Sequence, residues 1–294
     1  MLLGPHRLIG FADANPAVRV RSRAAVLNLL YSCRSNVAEL HVGNDNPADT
    51  SAHGGTTGPK LIVWLLTHSS LINITRLGRG HVTVDLGGND GLFSILAKGL
   101  SPNIHAISME IDPLRKMHMD EWLDRIRIML PTLRPPQRIE VGWHPPASEL
   151  ASFLNEARYE MDPHSTYHFF LNNFNDLHRN IQPKLEQILV KFRVGTTITS
   201  FDRMFKTEQM DQQMDHWQES SFVTTIPGEE MPFERRPESN PDEMMELSIY
   251  HYIKISEPHA RTNRSKRRSR RVGHPPKTKI SFTPLPEGIF SRES

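Results

Sequence analysis

From His81 onward the chain repeats one unit, a short apolar strand followed by a turn and an amphipathic helix. HVTVDL runs into the turn GGNDG and the helix LFSILAKGL, and IHAISMEID then leads into LRKMHMDEWLDRIRIML. Short apolar strands joined by helices require a parallel sheet covered on both faces, because the helix is the crossover that returns the chain to the next strand. The spacing therefore predicts a doubly wound α/β fold. Further strands are expected at 138–141, at YHFFLNNF and at TTITSF over 196–201, with helices at 148–159 and around Lys184–Phe192. Two segments, 220–226 and 246–255, are long enough to pair as an antiparallel hairpin at the sheet edge. Upstream, 22–34 has helix-like apolar spacing, and a loop over 43–59 leads into a second helix near Lys60–Ser69.

With 294 residues, 37% of them hydrophobic, the chain can build one large core with appendages. Its formal charge of +2 is unevenly spread: 261–279 holds nine Lys or Arg and no acid, which leaves −7 for the remainder. That stretch is a separate electrostatic object, readable as a nuclear localisation signal, a nucleic-acid arm or a solvated end. Cys33 is the only cysteine, so an intramolecular disulfide and a thiolate zinc site are excluded and a reducing compartment is expected. His164 and His168 stand four apart, but Pro163 and the apolar run after them point to loop and strand, so no metal site is expected. LIVWLL over 61–66 is too short to span a bilayer, and MLLGPHRLIGF too short for a signal peptide, so a soluble intracellular protein is expected. The stretch 207–245, rich in Met, Gln, Pro and acids, reads as an insertion.

Two places carry chemistry. Val82–Gly91 is a strand ending in an acid, Asp85, followed by a glycine turn at Gly87, Gly88 and Gly91 that brings backbone close to a ligand at a helix start. Asn89 at the middle position breaks the dinucleotide pattern and disfavours a nicotinamide cofactor. Nineteen residues past Gly91, Glu110 ends the next strand, where a carboxylate can accept both hydroxyls of a ribose. Asp-Leu-Gly followed by a strand-terminal acid is the general signature of S-adenosylmethionine-dependent methyltransferases, which this half resembles. The second place is Asn172-Asn173, poor strand formers with strong donor and acceptor groups set directly after Phe169-Phe170-Leu171. They mark either a strand-end Asx turn or a site.

Three segments in order resemble the disruptor-of-telomeric-silencing family, the non-SET histone lysine methyltransferases, over about residues 50 to 256. HGGTT at 53–57 stands where the family has its Y-G-E-T loop, VDLGGNDG and MEID where it has its glycine turn and ribose acid, and LNNFND with the later TTITS where it has V-N-N-F and I-V-S. The chain departs from the pattern with His53 for Tyr, Gly55 for Glu and Asn89 for Gly, and lacks the Gly-Asp-Phe segment, near which Gly142-Trp143 could offer a stacking face. The resemblance implies a Rossmann-like class I methyltransferase, a mostly parallel seven-stranded sheet with an antiparallel edge hairpin. It implies S-adenosyl-L-methionine held by His53, Gly54, Thr56, Asp85, Gly87, Gly88, Gly91, Glu110 and Asn172. It further implies Asn172 beside the transferring methyl, Phe174 as a wall and Tyr250 lining a lysine channel; Trp217 is either a channel residue or a core tryptophan. The expected organisation is an N-terminal helical segment over 1–49, a catalytic domain over 50–257 and a flexible basic tail over 258–294. The expected substrate is a lysine in the globular core of histone H-three, with the basic tail on nucleosomal DNA phosphates in the nucleus. A methyltransferase of the same fold acting on RNA or another protein, and a catalytically silent chromatin-binding relative, are the alternatives.

Overall fold

The computed structural model describes residues 16–34, 57–110, 113–129, 137–140, 165–172, 192–205, 216–232, 242–256 and 277–283, with single positions at 131, 186, 187, 189, 237, 240, 285 and 290. Its centre is a sheet of eight strands: β1 (His81–Leu86), β2 (His105–Glu110), β3 (Gln137–Glu140), β4 (Thr166–Leu171), β5 (Thr197–Ser200), β6 (Trp217–Pro227), β7 (Met244–Lys254) and β8 (Thr278–Lys279). The order across the sheet is β3-β2-β1-β4-β5-β7-β6-β8. β1 to β5 are parallel, and β7 runs antiparallel to both β5 and β6. This is the Rossmann-like class I methyltransferase arrangement expected from the sequence, with one strand more. The hairpin strands are also longer than their sequence signal, eleven residues each.

The strands are apolar on both faces, and a separate buried cluster packs against each. In β1 the last five of six residues are buried, as are five of six in β4. On one face lie α1 (Pro16–Ser32), α2 (Pro59–Thr67), α3 (Leu92–Leu100) and α4 (Pro113–Met129), packed with Phe170, Phe201 and Ile249. The LIVWLL run is the centre of α2, with Leu61 through Leu66 all buried. Burying such side chains contributes about 1.5–3 kcal/mol each, so α2 is held by the core although it has only nine residues. α1 crosses α3 where Gly99 lacks a side chain; a Cβ there would stand 2.5 Å from Leu30. Trp122 of α4 donates from its indole nitrogen to the Leu30 carbonyl at 2.7 Å, tying the same helix from its other side.

Two sequence expectations need correcting. The stretch 207–245 is no insertion over its described residues: it contains β6 and a 3-10 turn (Gly228–Glu230), and Trp217, Phe222, Ile226 and Met231 are buried core residues. Nor is the region after 257 flexible throughout. β8 pairs in parallel with β6, Ile280 donates its amide to the Val223 carbonyl, and Phe282 and Phe290 pack on Trp64 and Tyr31 at centroid distances of 5.7 and 4.9 Å. The packed fold therefore resumes at β8, inside the basic stretch 261–279, and its contacts continue to Phe290. The helix expected at 148–159 lies outside the described residues.

Candidate functional site

In an open parallel sheet a ligand finds a crevice beyond the carboxyl ends of the strands, where neighbouring strands send their connections to opposite sides. Here that point lies between β1 and β4, since β1 continues to β2 on one side and pairs with β4 on the other. A small, half-open cleft lies there, walled by Asp85 of β1, Gly87, Gly88 and Asn89 of the turn after it, Phe170 and Asn172 at the end of β4, Leu92 and Phe93 of α3, and Thr57 and Ile62 from around the start of α2. The rings of Phe93 and Phe170 lie parallel, 4.5 Å apart, and form an apolar base.

The glycine turn is folded tightly onto β2. Gly87 and Gly88 donate their amides to the Met109 carbonyl at 3.0 and 2.8 Å, and the Asn89 amide donates to Glu110 Oε2 at 2.6 Å. Gly88 has no space for a side chain, since a Cβ would collide with the Ser108 hydroxyl and reach 3.2 Å from Asp85 Oδ2. Asn89 has φ 51°, in the left-handed region. Asparagine is the ordinary side chain that tolerates this region best, so the departure from glycine preserves the turn.

Three carboxylates converge around the turn. Asp85 is buried in the cleft wall and, among the described residues, forms no ion pair. Burial first, and then the carboxylates of Glu110 and Asp90, hold its carboxyl well above the usual carboxylate range. Such a group attracts a cationic ligand, whose charge would restore its ionised form. Asp90 instead has a partner from just past the N-terminal helix: Arg34 meets Asp90 Oδ2 at 2.5 and 2.6 Å, and Asp90 Oδ1 accepts the Leu92 amide at 3.3 Å. Both side chains are buried, 7% and 2% exposed, and the Arg34 guanidinium lies 5.6 Å from the Trp122 ring centroid.

The structure thus brings Asp85, Gly87, Gly88 and Asn172 to one wall, with Gly91 opening α3 behind them. Glu110 is close but stands behind the turn, holding Asn89, and does not line the cleft. Tyr250 is half-buried on β7, level with the strand ends in the row Leu86, Leu171, Ser200, Tyr250. That row faces away from Asp85, so Tyr250 is not part of the cleft wall. Trp217 is a core residue, tilted against Phe205 at 5.5 Å. His53, Gly54, Thr56, Phe174 and Gly142-Trp143 lie outside the described residues. Sequence reasoning missed Arg34, because nothing local links it to an aspartate fifty-six positions later. Asp90 had a signal, an acid inside the glycine turn directly before a helix.

No protein-family model matches the chain, and no curated protein matches it. Among solved structures it is similar to a precorrin-6y C5,15-methyltransferase from Geobacter metallireducens, at 12% identity and TM-score 0.37 over 62% of this chain and 84% of the other. It is similar to a putative O-methyltransferase from Klebsiella pneumoniae, at 10% identity and TM-score 0.40 over 83% and 92%. A putative rRNA methylase from Clostridium thermocellum gives 12% identity and TM-score 0.37 over 62% and 90%. These likenesses are too slight to bear on function; the fold rests on the strand order itself.

Proposed function

We propose that this chain is an S-adenosylmethionine-dependent methyltransferase of the disruptor-of-telomeric-silencing kind, acting on a lysine in the globular core of histone H-three within nucleosomes. The observation that carries the cofactor reading is Asp85, a buried carboxylate with no ion-pair partner among the described residues, facing a cleft between β1 and β4. S-adenosylmethionine carries both an ammonium and a sulfonium and would supply the activated methyl group. Asp85, Gly87, Gly88, Thr57 and Asn172, which line the cleft, would hold it.

A lysine must lose its proton before it attacks, since its unperturbed pKa is near 10.4. No His, Lys, Cys or second carboxylate lines the described wall beside Asp85, so the residues present argue for deprotonation by desolvation and not by a resident base. Asn172 would then orient the amine, with Phe174 and the stacked rings of Phe93 and Phe170 excluding water. Alignment of this kind can account for about 7–11 kcal/mol of a barrier. The lysine specificity is supported by the N-N-F strand end, and the nucleosome by the basic cluster at 261–279, which has no aromatic with which to read bases. Incubation with labelled cofactor and nucleosomes, free histones or RNA tests this reading. Label on nucleosomal histone H-three is expected, whereas label on RNA or on another protein would replace the substrate and keep the fold and cofactor.

A further inference from the structure

The N-terminus of α2 is held by a residue far away in sequence. Glu230 ends the 3-10 turn that follows β6, and its side chain is 4% exposed. Its Oε2 accepts the backbone amides of Lys60 at 3.0 Å and Leu61 at 3.3 Å, and its Oε1 lies 3.7 Å from the Lys60 ammonium. Its main-chain carbonyl accepts the Gly58 amide at 3.1 Å. The approach is so close that a Cβ on Gly58 would overlap the Glu230 carboxylate and stand 2.5 Å from its Cα. Pro59 has no amide, and Ile62 donates to Gly58. The first turn of α2 therefore has all its donors occupied, and this helix end holds a protein carboxylate in place of a ligand.

What the clamp holds is the cleft wall. Thr57 and Ile62, the residues flanking the clamped segment on either side, both line the cleft. They share that wall with Asp85 and Asn172, whereas Glu110 lies behind the glycine turn.

We propose that Glu230 is a positioning residue for the cofactor: from the β6–β7 hairpin it fixes the segment Thr57–Ile62 against the methionyl end of the site. The proposal rests on the cleft being an S-adenosylmethionine site. It makes the hairpin and the cofactor wall one mechanical unit, so that disturbing the turn at Glu230 alters the grip on the amino-acid part of the cofactor and leaves the adenosine part alone.

The test uses the full chain as wild type, Glu230→Ala, Glu230→Gln and Leu247→Val, the last a buried residue of the same hairpin that makes none of the clamp's hydrogen bonds. Hydrogen exchange without ligand reads the clamp, and calorimetry with S-adenosylmethionine and with adenosine reads the site. In Glu230→Ala the amides of 58–62 should lose protection and S-adenosylmethionine should bind about tenfold or more weakly, while adenosine stays within about twofold. Glu230→Gln, whose amide oxygen still accepts both backbone donors, should recover most of the affinity. Leu247→Val should lower the melting temperature without changing either affinity. Unchanged exchange in Glu230→Ala, unchanged S-adenosylmethionine affinity, or an equal loss in Leu247→Val would overturn the clamp. A wild type that binds neither probe would instead overturn the cofactor reading, and the clamp's role at that site with it.

Discussion

Replacing Arg34 by methionine keeps an unbranched side chain of similar reach between Tyr31 and Trp122 but removes the charge that meets Asp90. Asp90 is 2% exposed and would remain as a buried carboxylate beside Asp85 and Glu110, with only the Leu92 amide as partner. Breaking one side of a buried ion pair costs about 3–5 kcal/mol, whereas removing both charges is far milder. The double variant Arg34→Met, Asp90→Asn keeps an oxygen for the Leu92 amide and leaves no unpaired charge. Urea unfolding of the two single variants and the double should give a coupling energy of about 2–4 kcal/mol, with the double more stable than Arg34→Met alone. The glycine turn should suffer along with global stability, so Arg34→Met should also bind S-adenosylmethionine more weakly at temperatures where it is folded. A loss below about 1 kcal/mol in Arg34→Met, the level of an exposed pair, or strictly additive single effects, would refute the view that Arg34 neutralises the turn.

Asp85→Asn should stabilise the ligand-free protein at neutral pH and weaken its cofactor binding. The raised carboxyl pKa means that ionising Asp85 costs stability as pH rises through its folded value, so a melting curve that falls in Asp85→Asn would contradict the uncompensated charge. Buried His168 and His251 have pKa values pushed down to about 3 and about 4, chiefly by burial. Their folded values lie below the unfolded one, so each should withdraw about 1.4 kcal/mol of stability per pH unit as pH falls from about 6.5 towards its folded pKa. His168→Gln should flatten that slope in urea titrations over this window, and an unaltered slope would remove it as a cause. Deleting 277–294 should cost a few kcal/mol, because it strips β8 and the Phe282 and Phe290 contacts, at up to about 1.5–3 kcal/mol for each side chain fully buried. Changing only the basic residues of 261–271 to glutamine should leave the melting temperature unaltered and flatten the salt dependence of nucleosome binding, and a large drop in stability would show that the cluster itself packs.

The parallel core was legible because its signal is local. HVTVDL, HAISME and TYHFFL are short apolar runs that only a covered sheet can bury, and each became a strand. The cleft was legible in part for the same reason: Asp85, the glycines and Asn172 stand at strand ends, and strand ends meet at the switch point. What the sequence did not disclose is carried by long-range pairs. Arg34 with Asp90 and Glu230 with Lys60 each join residues whose own neighbourhoods look unremarkable, one after an N-terminal helix and one inside a polar stretch read as an insertion. The basic tail misled for a related reason. Its charge dominates the composition, yet the few apolar residues beyond it, Ile280, Phe282, Leu285 and Phe290, decide where the chain goes.

Mass spectrometry of reconstituted nucleosomes after incubation with the protein and S-adenosylmethionine, with Asn172→Ala as the control, tests the proposed function most directly. A methylated lysine in the globular core of histone H-three, present with the wild type and absent with Asn172→Ala although the variant still binds the cofactor, is the predicted result. Unmodified histones, or the same modification with both proteins, would contradict it.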